Sequence, residues 1–365
     1  MFDDIYRNKR VLVTGHTGFK GSWLTTWLLQ LGAEVIGLSL DVPSHPAMFS
    51  VLGLQDKIKH IQGDVRDLDC FSEIIQSYKP DFVFHLAAQA IVSRSYSDPV
   101  YTMSTNILGT MHVLEALRNV DWPCAAVIIT SDKCYDNVEW VWGYRETDAL
   151  GGKDIYSGSK AAAEMVIKSY YHSFFLNHPT VTLAVGRAGN VIGGGDWAKD
   201  RIVVDCMRAW SEGRAVEIRC PAATRPWQHV LEPLSGYLLL GQNLAQKKQH
   251  GETFNFGPRA EQNRTVRELL HDLFKHCSSF QLQDYYSEID NVLFHEAGLL
   301  KLNCDKALFH LSWEPNLAYE ETIRLTGEWY SAFYSKEPAM YELTMQQIDS
   351  YIRCADERQR IWVHQ

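Results

Sequence analysis

Thr14 to Gly21 reads TGHTGFKG, set between the apolar run Val11-Leu12-Val13 and a stretch from Trp23 to Leu31 that predicts an amphipathic helix. Glycine at every third position between a strand and a helix restricts the fold more than any other segment of the chain. Gly15 permits a tight turn, Gly18 lets backbone approach a ligand closely, and Gly21 lets the helix pack hard on the strand. Such a turn belongs to a strand–helix–strand unit, and the sequence repeats that unit. Further apolar strand runs follow at Glu34 to Leu38, Ile58 to Ile61, Asp81 to His85 and Ala126 to Ile129. Helical segments lie between or after them, at Phe71 to Tyr78, Asn106 to Arg118 and Tyr156 to Phe175. Strands alternating with helices of this length predict a parallel sheet covered on both faces.

The predicted fold class is therefore α/β, a Rossmann-type doubly wound parallel sheet, with its ligand site at the carboxyl ends of the strands. Beyond about Gly189 the alternation breaks at Gly193-Gly194-Gly195-Asp196-Trp197. Short strands then mix with helices such as Thr265 to Lys275, which predicts a second region packed onto the first as a lobe.

A helix that opens on glycines offers unpaired N–H groups and a positive dipole end, which suits a pyrophosphate. The cofactor site is accordingly placed on Gly15, Thr17, Gly18, Phe19 and Gly21. The spacing is G-x-x-G-x-x-G rather than G-x-G-x-x-G, and a plain glycine-rich turn is the alternative reading. At the end of the second strand, where a ribose-binding acid is expected, stands Ser39, with Asp41 two positions later. No Arg or Lys lies between Gly32 and Asp56 to hold a 2′-phosphate, so NAD is expected over NADP. Asp64 and Val65, after the third strand, are placed at the adenine, against the alternative of a solvated turn aspartate.

The chain has 365 residues, 46% hydrophobic and 22% charged, enough for one large domain or two moderate ones. A net charge of −9 without any basic run argues against nucleic acid or an anionic membrane as partner. No apolar stretch approaches the length of a transmembrane helix, and the start MFDDIYRNKR, with two aspartates and no apolar h-region, reads as no signal peptide. Eight scattered cysteines without a C-x-x-C pair argue for a cytoplasmic protein with no metal site and no disulfide framework.

The strand ending at Ile129 runs into Thr130-Ser131-Asp132-Lys133, and a second polar set appears in YSGSK, Tyr156 to Lys160. Tyr156 and Lys160 are one helical turn apart on the same face, where a cation lowers a tyrosine pKa and yields a base. Tyr-x-x-x-Lys alone is also an ordinary surface helix pair. The ordered set TGHTGFKG, GDVRD, HLAAQ, SDK, YSGSK and RAGNVIGGGDW changes that, because it resembles the nucleotide-sugar branch of the extended short-chain dehydrogenase/reductase family from about residue 8 to about 330.

The resemblance implies an NAD-binding domain over 1–188, also receiving part of 226–255, and a nucleotide-sugar lobe over 189–365. It implies a homodimer through helices near 106–118 and 156–175. Ser131, Tyr156 and Lys160 resemble the family's catalytic hydroxyl, base and cofactor-holding lysine. Leu86, Ala87 and Ala88 resemble the strand end lining the ribose and nicotinamide. Asn190 and Arg225 resemble residues at the sugar diphosphate, and Gln89, Arg187 and Arg201 are expected around the same substrate.

Within the branch, ITSDKCYDN, WGYRE and RPWQHVLEPLSGYL are most similar to members that dehydrate CDP-glucose, which implies that substrate and a 4,6-dehydration. Dehydration needs an acid at C6 and a base at C5 beyond the hydroxyl, tyrosine and lysine of an epimerase. In similar dehydratases acting on dTDP-glucose these are Asp-Glu after the hydroxyl; here they are Asp132 and Lys133. A lysine base must be neutral, and Lys133 pairing with Asp132 or another carboxylate is the structural alternative. A nucleotide-sugar 4-epimerase, a dehydratase for another nucleotide, and a non-catalytic NAD-binding sensor are the competing functions.

Overall fold

The computed structural model describes residues 1–259, 262–289, 299–337 and 339–364. Seven parallel strands form the central sheet: β1 (Arg10–Thr14), β2 (Glu34–Ser39), β3 (Lys59–Gln62), β4 (Phe82–His85), β5 (Cys124–Ile129), β6 (Val181–Ala188) and β7 (Thr253–Phe256). Their order is β7-β6-β5-β4-β1-β2-β3, with every pairing parallel. Strand order reverses between β1 and β4, which opens a crevice at their carboxyl ends. The doubly wound sheet expected from the sequence is thus the fold observed.

The apolar runs are continuous rather than alternating because both faces of the sheet are buried. Val11 and Val13 of β1, with Ala125 and Val127 of β5, face one core. Leu12, Ala126 and Ile128 face the other. The second core holds α2 (Leu68–Tyr78), α3 (Gly109–Arg118) and α4 (Ile155–Tyr170), through residues such as Phe71, Leu114 and Ile167. The first core holds α1 (Phe19–Gln30) and α5 (Leu231–Ala245). It continues without a break into the C-terminal α6 (Val266–Lys275), α7 (Tyr319–Tyr334) and α8 (Met340–Glu357).

α1 is therefore buried nearly all round, from Gly21 to Leu28, rather than lying amphipathic on a surface. Trp27 stacks edge-on against Tyr351 and Trp362, so the C-terminal helices close over the glycine-turn helix. Outside the sheet, the strand Thr224–Pro226 pairs antiparallel with Asn263–Thr265, and Val191–Ile192 pairs with Gln228–His229. These short ribbons stand over the carboxyl ends of the central strands.

Candidate active site

Backbone packing explains the glycines. Gly15 has φ +74°, and a Cβ there would lie 2.8 Å from the Ala87 nitrogen at the end of β4. A Cβ on Gly21 would lie 2.1 Å from the Gly15 carbonyl oxygen. The turn is so tight that α1 begins directly at the sheet edge. Its N-cap, Gly18, makes no side-chain cap bond to the first-turn N–H groups, which leaves the helix N-terminus uncapped by any side chain of its own. This cradle fits a dinucleotide pyrophosphate. Leu86 and Ala87 donate their N–H groups to the Thr14 backbone and hydroxyl oxygens, at 3.1 and 3.2 Å, which pins the Leu86-Ala87-Ala88 wall beside the turn.

No acid side chain stands at the carboxyl end of β2, where Ser39 lies. Ser39 Oγ lies 3.0 Å from His16 Nδ1 and accepts the Thr17 N–H at 3.3 Å. His16 continues to His60 at 2.8 Å, and burial pushes the His16 pKa down to about 4, so the ring is neutral. Thr17 Oγ1 donates to the Asp41 carbonyl at 2.7 Å. Asp64 is held by the Arg66 side chain and backbone N–H, while Val65 packs against Gly109.

At the other end of the crevice, β5 delivers Thr130-Ser131 into a single 3₁₀ turn, Asp132–Cys134. Ser131 Oγ donates to Asp132 Oδ1 at 3.0 Å and accepts the Lys133 N–H at 3.2 Å. Facing it, α4 is capped by Asp154, which accepts the Ser157 N–H at 2.9 Å and so sets Tyr156 in the first turn. Ser131, Asp132, Tyr156 and Lys160 are all buried. Tyr156 bonds to Ser131 and senses Asp132 and Arg201, so the four groups occupy one cluster.

Burial dominates the electrostatics. It pushes the Tyr156 phenol up to about 12, with the Ser131 bond and Arg201 pulling the other way. In the protein alone, loss of water thus outweighs the Ser131 hydroxyl and the Arg201 charge at this phenol. Burial lowers Lys160 to about 8 against the opposing pull of Cys134 and Glu164. Burial also raises Asp132 from the ordinary carboxylate range, against Lys133, Ser131 and Lys20.

Asp132 and Lys133 line a small pocket together with Asn190, Arg225, Pro226 and Leu300. Residues from four distant stretches of sequence meet there. Arg225 comes in on the Thr224–Pro226 ribbon, and Arg201 lies behind Tyr156, paired to Asp196 at 2.7 Å. Two other expected substrate residues have protein partners instead. Gln89 is buried and bonded to Asn106, Thr102 and Ile91. Arg187 is 3% exposed, with its guanidinium on Glu164, Tyr135 and the Glu146 carbonyl. Lys20, passed over in the sequence, reaches the cluster of Asp132, Lys160 and Arg201, and burial lowers it to about 8. Its signal was a cation in the first turn of a helix, where the dipole disfavours one.

A dinucleotide cradle, a Ser–Tyr–Lys cluster and a cationic pocket at a topological switch point define a nucleotide-sugar enzyme of the short-chain dehydrogenase/reductase class. The chain belongs to the GDP-mannose 4,6-dehydratase family, whose model matches residues 12–326. It is 45% identical over 342 residues to a CDP-glucose 4,6-dehydratase of Salmonella typhimurium, covering 92% of this chain and 94% of the relative. It is 26% identical to a dTDP-glucose 4,6-dehydratase of Shigella flexneri, covering 88% and 93% of the two chains. Among solved structures, the Thermus thermophilus UDP-glucose 4-epimerase in complex with NAD matches with a TM-score of 0.73 at 25% identity, over 88% and 98% of the two chains.

Proposed function

We propose that the chain converts CDP-D-glucose to CDP-4-keto-6-deoxy-D-glucose and water. The observation that carries this reading is the placement of Asp132 and Lys133 immediately after Ser131, in the pocket shared with Asn190 and Arg225. An epimerase uses the hydroxyl, tyrosine and lysine alone. A vicinal acid and amine at the reacting sugar add what water loss from C5–C6 requires.

The turn at Gly15, Thr17, Gly18 and Gly21 would hold NAD, which would supply a hydride acceptor for C4 and a hydride donor for C6. Tyr156, with Ser131 bonded to it, accepts the C4 hydroxyl proton. Lys160 lies one turn further along the same face, where its charge offsets the phenolate. Once C4 is a ketone, C5–H is acidic, and Lys133 in neutral form takes that proton. Asp132, whose carboxyl burial holds towards the protonated form, gives its proton to the departing C6 hydroxyl. Arg225 and Asn190 hold the diphosphate side of the pocket, for which a guanidinium fork is suited. Residues 189–365, apart from the helix and strand that join the sheet, form the lobe receiving the nucleotide.

Two copies pair through the α4 side of the molecule in this reading. Val100 is 76% exposed, Met165 53% and Leu108 43%, on adjacent helical segments. Apolar side chains so exposed on neighbouring helices mark an interface. The free cysteines and the absence of a described helix long and apolar enough to cross a membrane are consistent with a cytoplasmic enzyme.

Incubation with CDP-glucose in deuterium oxide tests the reading. The expected product is a 4-keto-6-deoxy sugar carrying solvent deuterium at C5. A C4 epimer with unlabelled C5 would contradict it. Lys133→Ala that retains the full rate of C5 exchange would remove Lys133 from the base role.

A further inference from the structure

Beneath the pocket lies a buried polar network that the proposed chemistry does not use. Arg187 on β6 forms a two-point ion pair with Glu164 on α4, at 2.7 and 2.9 Å, and both side chains are under 5% exposed. Thr130 Oγ1 donates to Glu164 at 2.5 Å. On the other side, Arg187 Nη1 donates to the Tyr135 hydroxyl at 2.7 Å, and that hydroxyl donates to Asn255 Oδ1 on β7 at 2.8 Å. The guanidinium also lies 4.8 Å from the Tyr135 ring centroid. Asn255 is itself fixed by the Tyr144 and Asn303 carbonyls and by Glu146, which accepts its backbone N–H.

The two ends of this network bracket the reacting turn. Thr130 is the residue before Ser131, and Tyr135 is the residue after Cys134. Glu164 is one helical turn beyond Lys160, on the helix that carries Tyr156. One ion pair therefore clamps both ends of the Ser131–Cys134 turn to the helix facing it. A buried ion pair adds little net stability, because desolvating two charges offsets their attraction and apolar replacements are often neutral or better. What the pair does fix is a distance between two catalytic elements, and an error of about 1 Å in such a distance costs on the order of a hundredfold in rate.

We propose that Glu164, Arg187 and Tyr135 are positioning residues, a clamp that sets Asp132 and Lys133 against Tyr156 and Lys160 for the elimination step. The proposal rests on the dehydratase reading. The clamp has a front anchor at Thr130, next to the Ser131 used in C4 oxidation. Its rear anchor at Tyr135 lies beyond the two residues used only in elimination. The front anchor thus bears on both steps and the rear anchor on elimination alone.

The test separates the steps in single turnovers of the NAD-loaded protein with CDP-glucose, at a temperature well below each variant's Tm. C4 oxidation is followed by reduced-nicotinamide absorbance, and elimination by solvent deuterium at C5 and by 4-keto product. Tyr135→Phe keeps the ring and deletes the rear anchor. It is expected to slow elimination about tenfold to a hundredfold, with oxidation and KM changed by less than about twofold. Thr130→Val is expected to slow both steps, and Thr130→Ser to restore them. Elimination at the wild-type rate in Tyr135→Phe would overturn the clamp. So would an equal loss in both steps, which is what a purely structural role predicts. Wild-type protein that turns over no CDP-hexose would instead overturn the dehydratase reading itself.

Discussion

Burial shifts the residues proposed to react in directions that set the expected pH behaviour. Burial lowers Lys160 to about 8, so its cation is present below that pH and lost as pH rises through it. If that charge supports the Tyr156 phenolate, kcat falls above about pH 8, and Lys160→Arg, which stays charged, moves that limb upward. A limb unmoved in Lys160→Arg would remove Lys160 from this role. Asp132→Asn is expected to leave C4 oxidation intact while slowing water loss roughly 10²- to 10⁴-fold, the usual worth of a general acid. Single-turnover measurement of both steps checks it, and equal loss in both would contradict the acid assignment. Much at this scale was legible: the strand that ends at Ser131 and Asp132 and the helix that carries Tyr156 and Lys160 were readable from apolar runs and glycines, and Ser131, Asp132 and Tyr156 lie together. Arg187 was not legible, since a guanidinium wanted by a phosphate and one locked under the site by Glu164 look alike in sequence. Lys20 was hidden by the glycines around it, which account for the turn without any side chain.

Among the elements, α5 carries a buried carboxylate that ties the sheet helix to the C-terminal segment. Glu232 accepts the Asn316 N–H at 2.8 Å, the Leu317 N–H at 2.5 Å and the Tyr351 hydroxyl at 2.9 Å. Glu232→Ala strands all three donors and is expected to destabilise the fold by about 3 kcal/mol or more, read by denaturant unfolding. Burial holds this carboxyl up at about 7 against an ordinary 4.5. The folded chain thus keeps a proton that the unfolded chain releases. Stability from this group is complete below about pH 4.5 and lost as pH rises through 7. The unfolding free energy of Glu232→Gln is expected to lack that component; identical pH profiles would contradict it. The apolar strand runs and the helical stretches between them, Thr265 to Lys275 included, made most elements readable. The pattern misread the surroundings of α1, because an apolar face shows that a helix is covered but not that helices from the far end of the chain cover its other side.

For the whole molecule, the doubly wound order follows from alternating strands and helices, but the one core shared by α1, α5 and the C-terminal helices rests on long-range packing that no local pattern records. The exposed Val100, Leu108 and Met165 predict a dimer in solution, with light scattering giving twice the mass of one chain. Val100→Glu with Met165→Glu is expected to give monomers, and a monomeric wild type would contradict the interface. 4,6-Dehydration requires what neither an epimerase nor a non-catalytic NAD-binding protein of this fold would do: one hydrogen leaves C4 and arrives at C6 of the same sugar. The decisive measurement is therefore mass spectrometry and NMR of the product from CDP-glucose carrying deuterium at C4. The account predicts a 4-keto-6-deoxy sugar with that deuterium at C6. Deuterium remaining at C4 of an epimer, or lost to solvent, would contradict it.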